Sequence, residues 1–352
     1  MKIDYGPLRT LFESEDISEI MINAWNKVFV EHKGQLMETG ARFVDDRQYL
    51  EFIYAILSAD KKVLGSALSF DGLLPSGYRY NLTFPPLSPL GPTLTIRKFK
   101  LKNFTFADLI QNDFCSEAAA HFLKASVLGK LNIVVSGGTG SGKTSFLNTL
   151  ATLIPGNERI ITIEDTAELN FEHPNWLALQ SVTDPKNPVT IRQCLSTSLR
   201  MRPNRIIVGE CRKDETFEML QAMNTGHEGS MTTIHANSSH DCLSRMESLI
   251  SFSGVDLPLK QIRSQMSKAI DLIVQVRRHS NGKREITEIL EISGIAEDVI
   301  QRSAVYARDK QGHLSATGYV PRALVKINSE KNLLHSSFFS SGSHLITEKK
   351  VS

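Results

Sequence analysis

The sequence predicts an α/β protein in two parts: a small N-terminal α/β domain, then a larger domain with a mainly parallel sheet and a C-terminal β-hairpin. Three observations lead there. From residue 117 onward, short apolar runs ending in acidic or glycine residues alternate with helix-forming stretches, the rhythm of strands buried on both faces. Before that point the strand-like runs surround one amphipathic helix. A glycine-rich segment, Gly137 to Thr144, sits between a predicted strand and a predicted helix, the setting in which such a loop holds phosphate. With 352 residues the chain has room for two domains of ordinary size.

The first domain, residues 1–103, opens with β-rich runs over Glu19–Asn23 and Lys27–Glu31, and Lys33-Gly34 makes the next turn. Asp45 or Asp46 can cap a helix running to Ala59, with Leu50, Ile53, Ile56 and Leu57 on one face. Tyr78–Phe84 and Thr93–Phe99 read as strands, and the proline-rich stretch from Pro85 to Pro92 between them must be loop. Residues 104–116 read as a linker. The second domain, 117–335, starts with a helix over Glu117–Leu128, and Leu131–Ser136, Ile160–Ile163 and Arg205–Val208 are compact buried-type strands. Ala269–Arg277 and Arg284–Ile292 flank Asn281-Gly282, a hairpin-turn dipeptide. The serine-rich tail, 336–352, is expected to be disordered.

Composition narrows the function. Hydrophobic residues make up 41% and charged residues 22%, which allows a packed core and excludes wholesale disorder. A net charge of +2 gives no electrostatic reason to expect nucleic acid as a partner. Lys98, Lys100 and Lys102 form a local basic run that reads as a solvated face. No apolar stretch approaches the roughly 20 residues of a membrane span, and the first residues lack a signal peptide's apolar core. Any membrane association is therefore expected to be peripheral. Cys115, Cys194, Cys211 and Cys242 are far apart without a CxxC pair, which argues against a zinc site or a disulfide framework and suits a reducing cytosol.

Gly137-Gly138-Thr139-Gly140-Ser141-Gly142-Lys143-Thr144 fits G-x-x-x-x-G-K-[ST] at every fixed position, and a helix-forming stretch from Ser145 to Leu153 follows. The glycines let successive amides turn onto phosphate, and the helix start adds its positive end. Lys143 would neutralise the β- and γ-phosphates of ATP, and the Thr144 hydroxyl would ligate Mg²⁺. A hydrolytic site also needs carboxylates that position the attacking water and, with Thr144, support the metal, and Glu210 and Glu164 are the candidates for both. Glu210 ends the run Arg205-Ile206-Ile207-Val208-Gly209-Glu210, and Glu164-Asp165 ends another; both strand tips should face the nucleotide. Between Gly226 and Asn237, His227 and His235 stand eight residues apart among hydroxyls, a poor metal spacing but one open to phosphate sensing.

These motifs resemble those of the secretion and pilus traffic ATPases of the type II/type IV superfamily. The match is most similar to the CpaF/TadA ATPases of Flp (tight-adherence) pilus assembly and runs from about Ile17 to Pro321. It rests on the segments Ser136–Thr144, Thr162–Leu169, Leu199–Glu210 and Asn224–Asn237. The resemblance implies a PAS-like N-terminal domain and a RecA-like P-loop NTPase domain. It makes Glu164 part of an Asp box, Glu210 the Walker B glutamate, and His227 to His235 a His box. It implies that Glu210, Glu164 or both polarise the attacking water, and that Arg79 and Arg97 reach the γ-phosphate from the N-terminal domain. It further implies a homohexamer in the cytoplasm, at the inner membrane, that hands force to platform proteins and takes a regulatory partner. Cys211 and Asn204 depart from the family's usual residues, an aliphatic residue and aspartate. Three rival readings remain: a type IV secretion channel ATPase moving protein or DNA, a nucleic-acid motor, and a non-hydrolysing ATP-binding module.

Overall fold

The computed structural model describes residues 3–62, 65, 67–98, 103–182, 187–329 and 333–341. The chain divides into two compact units: 1–100 together with the short segment 280–282, and 101–279 together with 283–352.

In the first unit the strands are β1 (Ile17–Ala24), β2 (Lys27–His32), β3 (Gln35–Glu38), β4 (Ser69–Leu73), β5 (Arg79–Thr83) and β6 (Thr93–Arg97). They form an antiparallel sheet in the order β3-β2-β1-β6-β5-β4, with the first and last strands side by side at its centre. Period-two alternation turns Ile20, Ile22, Val28, Val30, Leu82, Leu94 and Ile96 into one core. Helices α1 (Arg9–Glu13) and α2 (Asp46–Ala59) belong to this unit. Asp45 caps α2 by accepting from the Gln48 amide, as the sequence suggests, and Ile53, Ile56 and Leu57 are buried. Leu50 is only half-buried, and Tyr49 and Phe52 take its place in the core. Lys98 departs from the solvated face expected of it. Its Nζ donates to the carbonyls of Leu11 (2.9 Å) and Ser14 (2.6 Å), satisfying groups at the end of α1. Phe99, Lys100 and Lys102 lie outside the described residues.

The second unit holds a sheet of nine strands among the described residues. They are β7 (Ile133–Gly137), β8 (Ile160–Glu164), β9 (Trp176–Gln180), β10 (Arg205–Cys211), β11 (Met231–His235), β12 (Leu272–Arg278), β13 (Arg284–Ala296), β14 (Val299–Arg308) and β15 (Leu314–Ala316). The order is β15-β14-β13-β12-β7-β11-β10-β8-β9. From β12 to β9 every pairing is parallel, while β13 to β15 add an antiparallel flank that includes the predicted hairpin. The mixed α/β class and the mainly parallel sheet are thus as the sequence predicts. Alternate residues feed two cores. Ile133, Val135, Val274 and Val276 join one with Phe122 and Phe146, whereas Val134, Ile163, Ile206 and Val208 join the other with Leu220 and Met266. The helices are α3 (Phe106–Gln111), α4 (Glu117–Leu128), α5 (Lys143–Ala151), α6 (Ile191–Ser198), α7 (Glu215–Asn224), α8 (Ser239–Ser251), α9 (Leu259–Ala269) and α10 (Leu324–Ile327). No described helix is long and apolar enough to cross a membrane.

Two stretches differ from expectation. Residues 104–116 hold α3, opened by a capping box of Thr105 and Asp108, and bury Phe106, Leu109 and Phe114. Phe114 packs 5.2 Å from the ring of Phe146, and Thr149 Oγ1 donates to the Phe104 carbonyl at 2.9 Å, so this segment braces α5. Six helical residues are too few to show a helical period in the sequence. The tail starts with a 3₁₀ turn at Ser336–Phe339 in place of the disorder expected from residue 336. Phe339 supplies the apolar surface that orders it, buried 5.6 Å from the Phe122 ring. Residues 342–352 lie outside the described residues.

Candidate functional site

Because β7, β8, β10 and β11 run parallel, their carboxyl ends meet at one edge of the sheet, and the chemistry-bearing residues follow them there. β7 ends at Gly137, where the chain is so crowded that a Cβ would lie 2.5 Å from the Val276 carbonyl. The loop then turns through Gly140 (φ 68°) and Gly142 (φ 93°), left-handed positions that favour glycine, into α5 at Lys143. Ser141 Oγ closes the loop by donating to the Gly138 carbonyl at 2.8 Å. Lys143 is 9% exposed, and its ammonium donates to the carbonyls of Gly137 (2.9 Å) and Gly138 (3.0 Å). Thr139 is exposed, and Thr144 and Ser145 sit half-buried in and beside the first turn of α5. Positive φ glycines, a helix start and a cation held over the loop make a cradle that fits a phosphate chain.

The two candidate carboxylates occupy different situations. Glu210 lies on β10, two strands from β7, which at ordinary strand spacing is about 10 Å. Its side chain is partly exposed, and Arg212 donates to it at 2.7 Å while also approaching Asp165 at 3.7 Å. Hydrogen bonding to Glu210 raises the Arg212 pKa above its ordinary value. Glu164 ends β8, one strand further away, and is buried. Its Oε1 accepts from the amides of Glu168 and Leu169, both at 3.0 Å, so its carboxylate shapes the turn that follows β8. Glu164 also leans across β10: a Cβ on Gly209 would meet its Cγ at 2.9 Å. Glycine at 209 is what leaves room for it. Among the described residues no cluster of three or more His, Cys, Asp or Glu side chains converges. The residues expected to hold Mg²⁺, Thr144, Glu164 and Glu210, lie at the start of α5 and at the ends of β8 and β10.

The His-box residues separate. His235 ends β11 in register with Gly137, beside the phosphate loop. His227 precedes the other end of that strand, roughly 15 Å away at the rise of a β-strand, so this fold does not bring it to the phosphate edge. The hydroxyls between them are internal: Thr233 Oγ1 donates to the Gly209 carbonyl at 2.8 Å, and Thr232 lies 3.2 Å from Cys211 Sγ. Burial pushes the Cys211 thiol up to about 12, so it stays an inert core residue. Arg79 and Arg97 belong to the other unit, where they face each other across β5 and β6, and Arg97 lies 3.5 Å from Glu19.

Two further arginines stand beside the loop. Arg278 and Arg284 close the β12–β13 hairpin as a registered pair, and Arg284 Nε donates to the Gly140 carbonyl at 2.8 Å. Their placement three residues to either side of Asn281 is the available signal. That β12 lies beside β7 could not be read from the chain.

Comparison with known proteins bears on the family and the fold. A type IV secretion system protein VirB11 from Bartonella quintana is 31% identical over 323 residues, covering 80% of this chain and 90% of that protein. The conjugal transfer protein TrbB of Rhizobium radiobacter is 29% identical over 304 residues, covering 85% and 91%. Among solved structures, the pilus retraction motor PilT with bound ADP has a TM-score of 0.59 at 20% identity, covering 82% of each chain. The Legionella pneumophila ATPase DotB has a TM-score of 0.58 at 20% identity, covering 83% of this chain and 82% of that one. At such identities these two speak for the fold. The family model described as type II/IV secretion system protein matches residues 2–286. With the phosphate loop, the paired acidic strand tips and the parallel sheet in place, the chain belongs to the type II/IV secretion system protein family.

Proposed function

We propose that this chain is a Mg²⁺-dependent ATP hydrolase that works as a homohexameric motor, peripherally placed at the inner membrane and driving the platform proteins of a pilus or secretion machine. The observation that carries the reading is the shared edge of the sheet, where the cradle around Lys143 and the Glu210 tip lie about two strands apart. Lys143 and the loop amides would hold the β- and γ-phosphates, Glu210 would orient and deprotonate the attacking water, and His235 would sense the γ-phosphate from the neighbouring strand. Mg²⁺, when bound, would neutralise charge on the transferring phosphoryl group. Gly209 leaves room for Glu164, so Gly209→Ala is expected to push that carboxylate aside and slow turnover about tenfold or more while ATP binding changes only a few-fold. Steady-state turnover and nucleotide titration of the variant check this.

Arg79 and Arg97 are proposed to stabilise charge on the phosphoryl group in transfer. Arginines in that role are worth roughly 10³–10⁵ in rate, so alanine at either position should slow turnover by well over tenfold with little change in nucleotide affinity. A chain starting at Leu101, which retains the α3 brace, should bind ATP and hydrolyse it poorly. Full hydrolysis by that shortened chain would reduce the N-terminal domain to a tether. Mixing Arg97→Ala with Glu210→Gln subunits asks where the arginine acts: restored activity means across a subunit interface.

A second reading of the client has its own support. The pilus assignment rests on motif resemblance to CpaF/TadA proteins, whereas the curated relatives carry the names of conjugal transfer and type IV secretion proteins. Deleting the gene separates the two: loss of surface pili supports the first, and loss of protein or DNA export with pili intact supports the second.

A further inference from the structure

β12 is the direct neighbour of the phosphate-loop strand, with Val276 opposite Gly137. Two residues later it presents Arg278, and Arg284 answers from β13. Both arginines lie over the left-handed glycines of the loop. Arg278 NH1 is 2.8 Å from where a Cβ on Gly140 would be, and Arg284 Cδ is 3.2 Å from the corresponding point on Gly142. Arg284 also donates its Nε–H to the Gly140 carbonyl at 2.8 Å. In a trans peptide the C=O and the following N–H point in opposite directions, so a carbonyl pinned from outside aims the Ser141 amide to the other side. There that amide makes only a long 3.4 Å bond to the Gly138 carbonyl, which it can give up to a phosphate oxygen.

The hairpin that carries these arginines is itself held. Glu285, 4% exposed, receives His279 Nε2 at 2.6 Å, Arg277 at 3.2 Å and Arg308 at 3.3 Å. A base fixed by a buried carboxylate lets the arginines press on the loop without swinging away.

We propose that Arg278 and Arg284 form a cationic clamp on the phosphate loop that sets nucleotide affinity. Arg284 is a positioning residue that aims the loop amide, and Arg278 adds positive charge beside the phosphate chain. The inference rests on the phosphate-loop reading above. Both effects act on bound ADP and ATP alike, so the clamp governs binding and leaves the chemical step largely alone.

The test uses the full-length chain with Arg284→Ala, Arg284→Lys, Arg278→Ala and Arg278→Lys. It measures ADP and ATP affinity by fluorescent-nucleotide titration across a salt series, kcat and KM, and nucleotide-free melting. Loss of one charge-assisted hydrogen bond predicts roughly tenfold weaker binding of both nucleotides in Arg284→Ala, with KM raised and kcat within about threefold. Arg278→Lys should restore affinity, because charge suffices there, and Arg284→Lys should not, because a lysine cannot place a donor where Nε stands. Arg278→Ala should also flatten the salt dependence of binding. If Arg284→Ala folds poorly, Arg284→Met, which keeps the apolar stem but no donor, takes its place, with the same roughly tenfold loss of affinity expected. Unchanged affinity in the alanine variants, while Lys143→Ala weakens binding, overturns the clamp and leaves the phosphate site standing. Normal binding by Lys143→Ala overturns both. A lowered nucleotide-free melting temperature with unchanged affinity reduces the arginines to a hairpin brace and also overturns the proposal.

Discussion

Lys143→Ala should reduce ATP hydrolysis to background and weaken nucleotide binding by roughly tenfold to a thousandfold. Its ammonium is held over the loop by the carbonyls of Gly137 and Gly138, at 2.9 and 3.0 Å, and is 91% withdrawn from solvent. A cation so placed meets phosphate with little screening, and each charge-assisted hydrogen bond lost there costs about 1.5–3 kcal/mol. The fold should survive, since alanine is a good residue for the first turn of α5 and the Phe106, Phe114 and Phe146 packing behind it is untouched. Phosphate release, nucleotide titration and a melting curve on the same preparation separate these statements. Near-normal turnover would remove Lys143 from the site and with it the reading of the loop.

What the sequence disclosed was local, and what it withheld was relational. The phosphate loop, the acidic strand tips at Glu164 and Glu210, and helix α4 are each specified within a dozen consecutive residues, so their signals survive without the fold. β11 was hidden because Thr232 and Thr233 look polar, and only the fold shows their hydroxyls paired inside the sheet with Cys211 and Gly209. His227 and His235 share a motif in sequence, yet a strand interposed between them sends them to opposite ends of the sheet. Lys98 looked solvated because nothing nearby in sequence reveals the α1 carbonyls it meets more than 80 residues back. Glu164 and Glu210 looked equivalent as strand tips. Strand order and the hydrogen bonds of Glu164 make them different.

That difference yields the second large effect. Glu210→Gln should keep binding ATP with Mg²⁺ and lose turnover by about 10²–10⁴-fold, the usual worth of a general base. Glu210 sits one strand nearer the phosphate loop than Glu164, and its carboxylate is partly exposed. Glu164 has its Oε1 committed to the amides of Glu168 and Leu169. Glu164→Gln turns a carboxylate that accepts from two amides into a group with one acceptor and one donor, so it should loosen that turn and lower the melting temperature. Its cost in chemistry should be smaller. Arg212 must be separated from both, because its 2.7 Å contact with Glu210 disappears in the glutamine variant too. If the loss in Glu210→Gln came from the broken ion pair, Arg212→Ala would reproduce it; if Glu210 is the base, Arg212→Ala should retain most of the rate. Rapid-quench single turnovers of the three variants, each saturated with ATP, report the chemical step directly. Wild-type chemistry in Glu210→Gln, together with a lost step in Glu164→Gln, would move the base to β8 and reverse the assignment made from strand order.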